Sequence, residues 1–133
     1  MSRARVFLAA ESLQAGNGGI CRVARLMWKV LAEEASRGSL DAKGVVFSDK
    51  ESPFGGGVPI KLVGQSRSRF ACATHKAALS HSHFLYDFLG MARAHCRVPF
   101  LRRPFLAWIH GIEVWERTRP DRLAWAKRAD YLL

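Results

Sequence analysis

Cysteine is scarce in this chain, and what there is of it is unpaired. Cys21, Cys72 and Cys96 are odd in number and scattered, with no C-x-x-C pair, which excludes a disulfide framework and fits a reducing compartment, so the cytoplasm is the expected location. Long hydrophobic runs are missing as well. The longest apolar stretches, such as Val6–Ala10 and Pro104–Ile109, fall far short of the roughly 20 residues that span a bilayer. The first residues imitate a signal peptide, but Glu11 interrupts them before any long apolar region develops. Neither the G-x-S-x-G elbow of serine hydrolases nor the phosphate loop G-x-x-x-x-G-K-[ST] is present, and there is no internal repeat or low-complexity tract. Acidic residues are few: 11 Asp and Glu stand against 21 Lys and Arg, a formal net charge of +10.

What is present suits one domain over residues 1–133. At 49% hydrophobic, a chain of this length buries roughly two-thirds of its unfolded surface and needs no metal or disulfide staple. The charge is unevenly spread, with 9 bases and 6 acids in residues 1–64 and 12 bases and 5 acids in residues 65–133. Such an excess attracts nucleic acid, anionic lipid or phosphorylated small molecules alike. The arginines are dispersed rather than run together, so a solvated basic surface accounts for them equally well.

Apolar patterning gives the elements. Arg5–Ala10 reads as a strand covered on both faces, followed by a polar, glycine-rich loop over 11–19. Ile20, Val23, Ala24, Met27, Val30 and Leu31 recur at helical spacing with charged residues between them, predicting an amphipathic helix with Asn17 as its cap and Gly38 as its left-handed stop. Further strands are expected at Gly44–Ser48, Ile60–Val63, His83–Asp87, Phe105–His110 and Ala129–Leu133, and helices at 66–79 and Pro120–Arg128. Alternating strands and helices predict an α/β fold, a Rossmann-like parallel sheet with helices on both faces. The last run, Ala129–Leu133, is an apolar strand with no continuation, which suggests that the chain is the first part of something longer.

In such a sheet, ligands settle beyond the carboxyl ends of the strands. Two candidates fall there. Gly16-Asn17-Gly18-Gly19 lies between the first strand and the first helix, where bare backbone and helix N–H groups suit phosphate or sugar oxygens. His110-Gly111-Ile112-Glu113 closes the fifth strand, where an imidazole reaches a sugar hydroxyl or a reacting centre. Each also has a plain reading, a flexible turn for the first and a strand-capping histidine for the second. His75, His81, His83, His95 and Cys96 match no structural-zinc spacing, so no metal is expected. Trp28 and Phe54 read as packing residues, and Asp87 as the partner of an arginine.

Taken together, the apolar first strand, the stretch Gly18-Gly19-Ile20-Cys21-Arg22 opening a helix, and Trp108-Ile109-His110-Gly111-Ile112-Glu113-Val114-Trp115 resemble the N-terminal domain of family 4 glycosyltransferases of the GT-B fold. The resemblance runs in order over essentially all 133 residues. It implies transfer of a hexose from a nucleotide-sugar donor to a sugar or lipid-linked acceptor, with retention and without a cofactor or bound metal. His110 would contact the transferred sugar, Gly18 and Gly19 would approach the donor phosphates, and Glu113 would assist. The donor-binding half, with its E-x7-E element, is absent here, so the fragment alone is expected to be inactive. Peripheral contact with an anionic membrane at its inner face would suit lipid-linked acceptors, and no nucleic acid is expected.

Two rivals remain open. An NAD-dependent oxidoreductase would share the strand, glycine loop and helix, with Asp49 after the second strand, but Cys21 stands where the third glycine of G-x-G-x-x-G belongs. A basic nucleic-acid-binding module would explain the charge but lacks interleaved aromatics and any binding motif.

Overall fold

The computed structural model describes residues 2–16, 18–52, 54, 56–110 and 120–133. Its first strand, β1 (Ala4–Ala10), is buried from Val6 onward, as a run apolar on both faces requires. It lies centrally in a six-stranded parallel sheet with β2 (Leu40–Val46), β3 (Ile60–Leu62), β4 (His83–Tyr86), β5 (Phe105–Ala107) and β6 (Tyr131–Leu132). The strand order is β3-β2-β1-β4-β5-β6, with every neighbouring pair parallel. This is the order of a Rossmann-like α/β fold, whose switch point falls between β1 and β4.

Alternate residues of β1 feed two separate cores. Val6, Leu8 and Ala10 join Ala24, Trp28 and Leu31 of α1 (Gly19–Ser36) on one face. Phe7 and Ala9 join Phe70, Ala73 and Ala77 of α2 (Arg67–Ala77), Trp125 of α3 (Pro120–Arg128) and the 3-10 turn Leu89–Ala94 on the other. Helices therefore cover both faces, as the sequence predicts. Trp28 and Phe54 stack at 4.0 Å between ring centres, and the Trp28 indole N–H reaches Val58 O at 3.4 Å, so both are packing residues.

The helix ends have local causes. Gly38 takes a φ of +75°, its N–H bonds Ala35 O and the Ser39 N–H bonds Glu34 O, which is a glycine-terminated Schellman stop. At the start of α1 the N-cap residue is Gly18, with a φ of 92° and no side-chain capping bond, while Asn17 lies outside the described residues. Ser66 caps α2 by accepting the Arg69 N–H.

Gly44 marks the tightest approach in the sheet. A Cβ there would stand 2.8 Å from Leu8 O and 2.8 Å from Ile60 Cδ1. Because backbone must shift to admit it, Gly44→Ala is expected to cost about 1–3 kcal/mol, read as a lowered urea midpoint. Among the described residues no helix is long and apolar enough to cross a membrane.

Candidate functional site

The carboxyl ends of β1, β2 and β4 are tied together by three acids. Asp87, the residue after β4, is completely buried and accepts the Glu11 N–H on Oδ2 at 2.8 Å. Asp49, beyond β2, accepts the Ser12 hydroxyl on one oxygen and the Leu13 N–H, at 2.7 Å, on the other. Glu11 accepts the Ser48 hydroxyl. The loop leaving β1 is thus fastened to both neighbouring strands before it reaches the glycines.

Burial dominates the electrostatics here. It pushes the Asp87 carboxyl well above the usual carboxylate range, and the nearby Glu11 charge adds to the rise against opposing backbone N–H groups. Asp87 Oδ1 has no hydrogen-bond partner among the described residues. Burial without a counter-charge favours the neutral form of a carboxyl over the charged one. Among the described residues Asp87 forms no ion pair with an arginine, contrary to the sequence expectation, and its carboxyl holds the Glu11 N–H instead. Cys21, in the first turn of α1, lies close to the same acids: burial raises its thiol, the Ser12 hydrogen bond opposes this, and the charges of Asp87, Asp49 and Glu11 add to it.

His110 stands three residues past β5, which closes at Ala107 rather than at His110. The pairing fades gradually, since the Trp108 N–H still bonds Tyr86 O at 3.1 Å and the Ile109 N–H bonds Leu133 O at 2.7 Å. The His110 ring is half-buried, and its Nε2 lies 2.8 Å from Asp87 O. A carbonyl only accepts, so Nε2 carries the proton and donates. Gly111 and Glu113 lie outside the described residues.

Gly16, Gly18 and Gly19 line an open depression of about 480 Å³ with Gln14, Ala15, Arg22 and Arg25. Positive φ angles of 88° and 92° account for glycine at 16 and 18. Gly19 is different: it has no positive φ, and a Cβ there would meet nothing within 4 Å. The fold itself does not require a glycine at this position. His110 is not among the residues lining this depression. What links the two candidates is Asp87, whose carbonyl receives His110 and whose carboxyl holds the root of the glycine loop.

A second depression, of about 460 Å³, opens beside Glu11 and is walled by Phe47, Arg67, Phe70, Met91 and Arg93 among others. Sequence reasoning missed this hollow, because the 3-10 turn Leu89–Ala94 that forms one side carries no periodic signal. Among the described residues no group of three or more His, Cys, Asp or Glu is arranged to hold a metal ion. His95 and His81 are instead bound into the fold, His95 between the Tyr86 hydroxyl and Arg103 O, and His81 against Ala77 O.

No family model matches the chain, and neither the curated proteins nor the solved structures contain a match to it.

Proposed function

We propose that this chain is the acceptor-side Rossmann-like domain of a glycosyltransferase of the GT-B type, transferring a hexose from a nucleotide-sugar without a metal. The observation that carries this reading is the meeting of His110, Asp87 and the root of the glycine loop at the β1/β4 switch point, where open parallel sheets take their ligands. An uncapped helix start with no acid in its first turn, flanked by Arg22 and Arg25, suits a diphosphate. The bare Gly19 backbone lets oxygen atoms come close to those N–H groups. We assign the acceptor to the hollow beside Glu11, where Arg67 offers donors to hydroxyl or anionic groups and Arg93 is held in the wall by Asp121 and Gly90 O. The oxidoreductase alternative is disfavoured by Asp49, which is only 4% exposed and is turned onto Ser12 and the Leu13 N–H rather than toward a ligand.

Gly19→Val separates a ligand role from a structural one. The added side chain enters open space, so stability is expected to stay within about 0.5 kcal/mol. Calorimetric titration with a panel of nucleotide-sugars, and with pyrophosphate as the smallest probe, is expected to give at least tenfold weaker binding, equivalent to about 1.4 kcal/mol. Equal affinities in the parent and the variant would remove the glycine loop from the donor site.

A further inference from the structure

Opposite the carboxyl edge that holds Glu11, Asp49 and Asp87, four arginines line one depression at the amino edge of the sheet. There the chain entering β5 passes through a short 3-10 turn, Pro99–Leu101. Val98 and Leu101 turn inward onto the core, while Pro99 is exposed and Phe100 is 83% exposed. Beside this turn lies a depression of about 280 Å³ whose walls include Arg97, Arg102, Arg103 and Arg128, with Asp130 as the acid among them. Asp130 is already engaged, accepting the Phe105 N–H at 3.0 Å.

The arginines are prepared for an external anion. Arg97 and Arg128 lie over the Trp125 ring at 4.7 Å and 5.0 Å, and Arg97, Arg102 and Arg128 form no ion pair among the described residues. A guanidinium held by its face on an aromatic ring keeps its N–H edges for phosphate oxygens. A neighbouring depression on the same edge is lined by Arg3 and Arg5, of which Arg3 is paired with Asp41 at 4.0 Å.

We propose that this edge docks on an anionic membrane, with Phe100 entering the bilayer and Arg97, Arg102 and Arg128 taking headgroup phosphates. An exposed aromatic tip bracketed by arginines matches a surface that is apolar below and anionic above. A nucleic acid would match the arginines but supplies no hydrocarbon for a projecting Phe-Pro tip. The surface lies opposite the His110 crevice, so it stands or falls independently of the sugar-transfer reading.

Vesicle sedimentation of the chain tests it, using phosphatidylcholine alone and phosphatidylcholine with about one-third phosphatidylglycerol. Binding is expected only to the anionic vesicles. Joint replacement Arg97→Gln and Arg102→Gln is expected to weaken it about 25-fold, at roughly fivefold per arginine. Phe100→Ser is expected to weaken it about tenfold, with circular dichroism unchanged because all three side chains are exposed. Failure to pellet with anionic vesicles would overturn the proposal, as would full binding by Phe100→Ser together with displacement by inorganic phosphate, which marks a simple anion site. Preference for a single-stranded RNA over anionic vesicles at equal salt, lost in the arginine variant, would overturn it in favour of nucleic acid.

Discussion

Replacing His95 with alanine is expected to lower the unfolding free energy by about 3–4 kcal/mol, a large share of a domain's total stability. His95 is buried, and its ring lies 4.5–5.6 Å from those of Phe84, Tyr86 and Phe105. Its Nε2 donates to Arg103 O at 2.9 Å, which leaves Nδ1 to accept from the Tyr86 hydroxyl at 2.7 Å. Truncation therefore opens a cavity between three aromatic rings and strands a fully buried phenol without a partner. Urea unfolding followed by circular dichroism reads the loss as a lower midpoint at unchanged slope.

The same substitution has a pH signature. Burial lowers the His95 pKa below its ordinary value. Below about pH 6.5 the unfolded chain binds a proton that the folded chain refuses, so this histidine withdraws stability as the pH falls. The gap between parent and His95→Ala is thus expected to narrow from pH 7 to pH 5. His81 is shifted the same way by burial, and it contributes equally to both proteins. A gap that widens toward acid would mean that His95 is charged in the folded state.

Sequence patterning reaches the strands because each core strand is a dense apolar run, and it reaches the parallel sheet because strands and helices alternate. It places the face of α1 less well. Ala24 and Leu31 are buried as expected, but Val30 is 59% exposed, and Cys21 and Trp28 take the inward positions. Two neighbouring stripes of this helix are both apolar, and periodicity cannot choose between them. The choice is made by Trp28, which packs beneath Phe54 and against Gly57, residues supplied by a distant loop. β2 likewise begins at Leu40, four residues before the expected Gly44, because its polar start pairs in register with Ala4 and Arg5 of β1. Asp41 and Lys43 are exposed there and carry no apolar signal.

The candidate site divides in the same manner. Glycines beside a helix start and a histidine after an apolar strand can be seen locally. The joining of Glu11, Asp49 and Asp87 cannot, because these residues lie 36 or more positions apart from the groups they hold and only the strand order brings them together. Asp87 is the least legible of the three. A carboxyl near many arginines reads as an ion pair, whereas the fold encloses it and turns it onto the Glu11 N–H.

On the proposed sugar-transfer reading, His110→Ala is expected to reduce turnover by about 10²–10³-fold, the scale on which a positioned acid, base or hydrogen-bonding group acts at a reacting centre. The structural cost is much smaller. His110 gives the fold one bond to a backbone carbonyl from a half-buried ring, worth about 1 kcal/mol. Stability and turnover should therefore part company, with the urea midpoint moving slightly and kcat collapsing. Holding nucleotide-sugar affinity within about threefold would place the loss in the reacting complex rather than in donor binding. His110→Gln sharpens the test, since its amide N–H can still reach Asp87 O and restore stability but offers no imidazole to the sugar. If His110→Gln recovers both stability and turnover, the ring serves only to cap the strand end; if turnover stays at the parent level in His110→Ala, the crevice reaction does not use this residue.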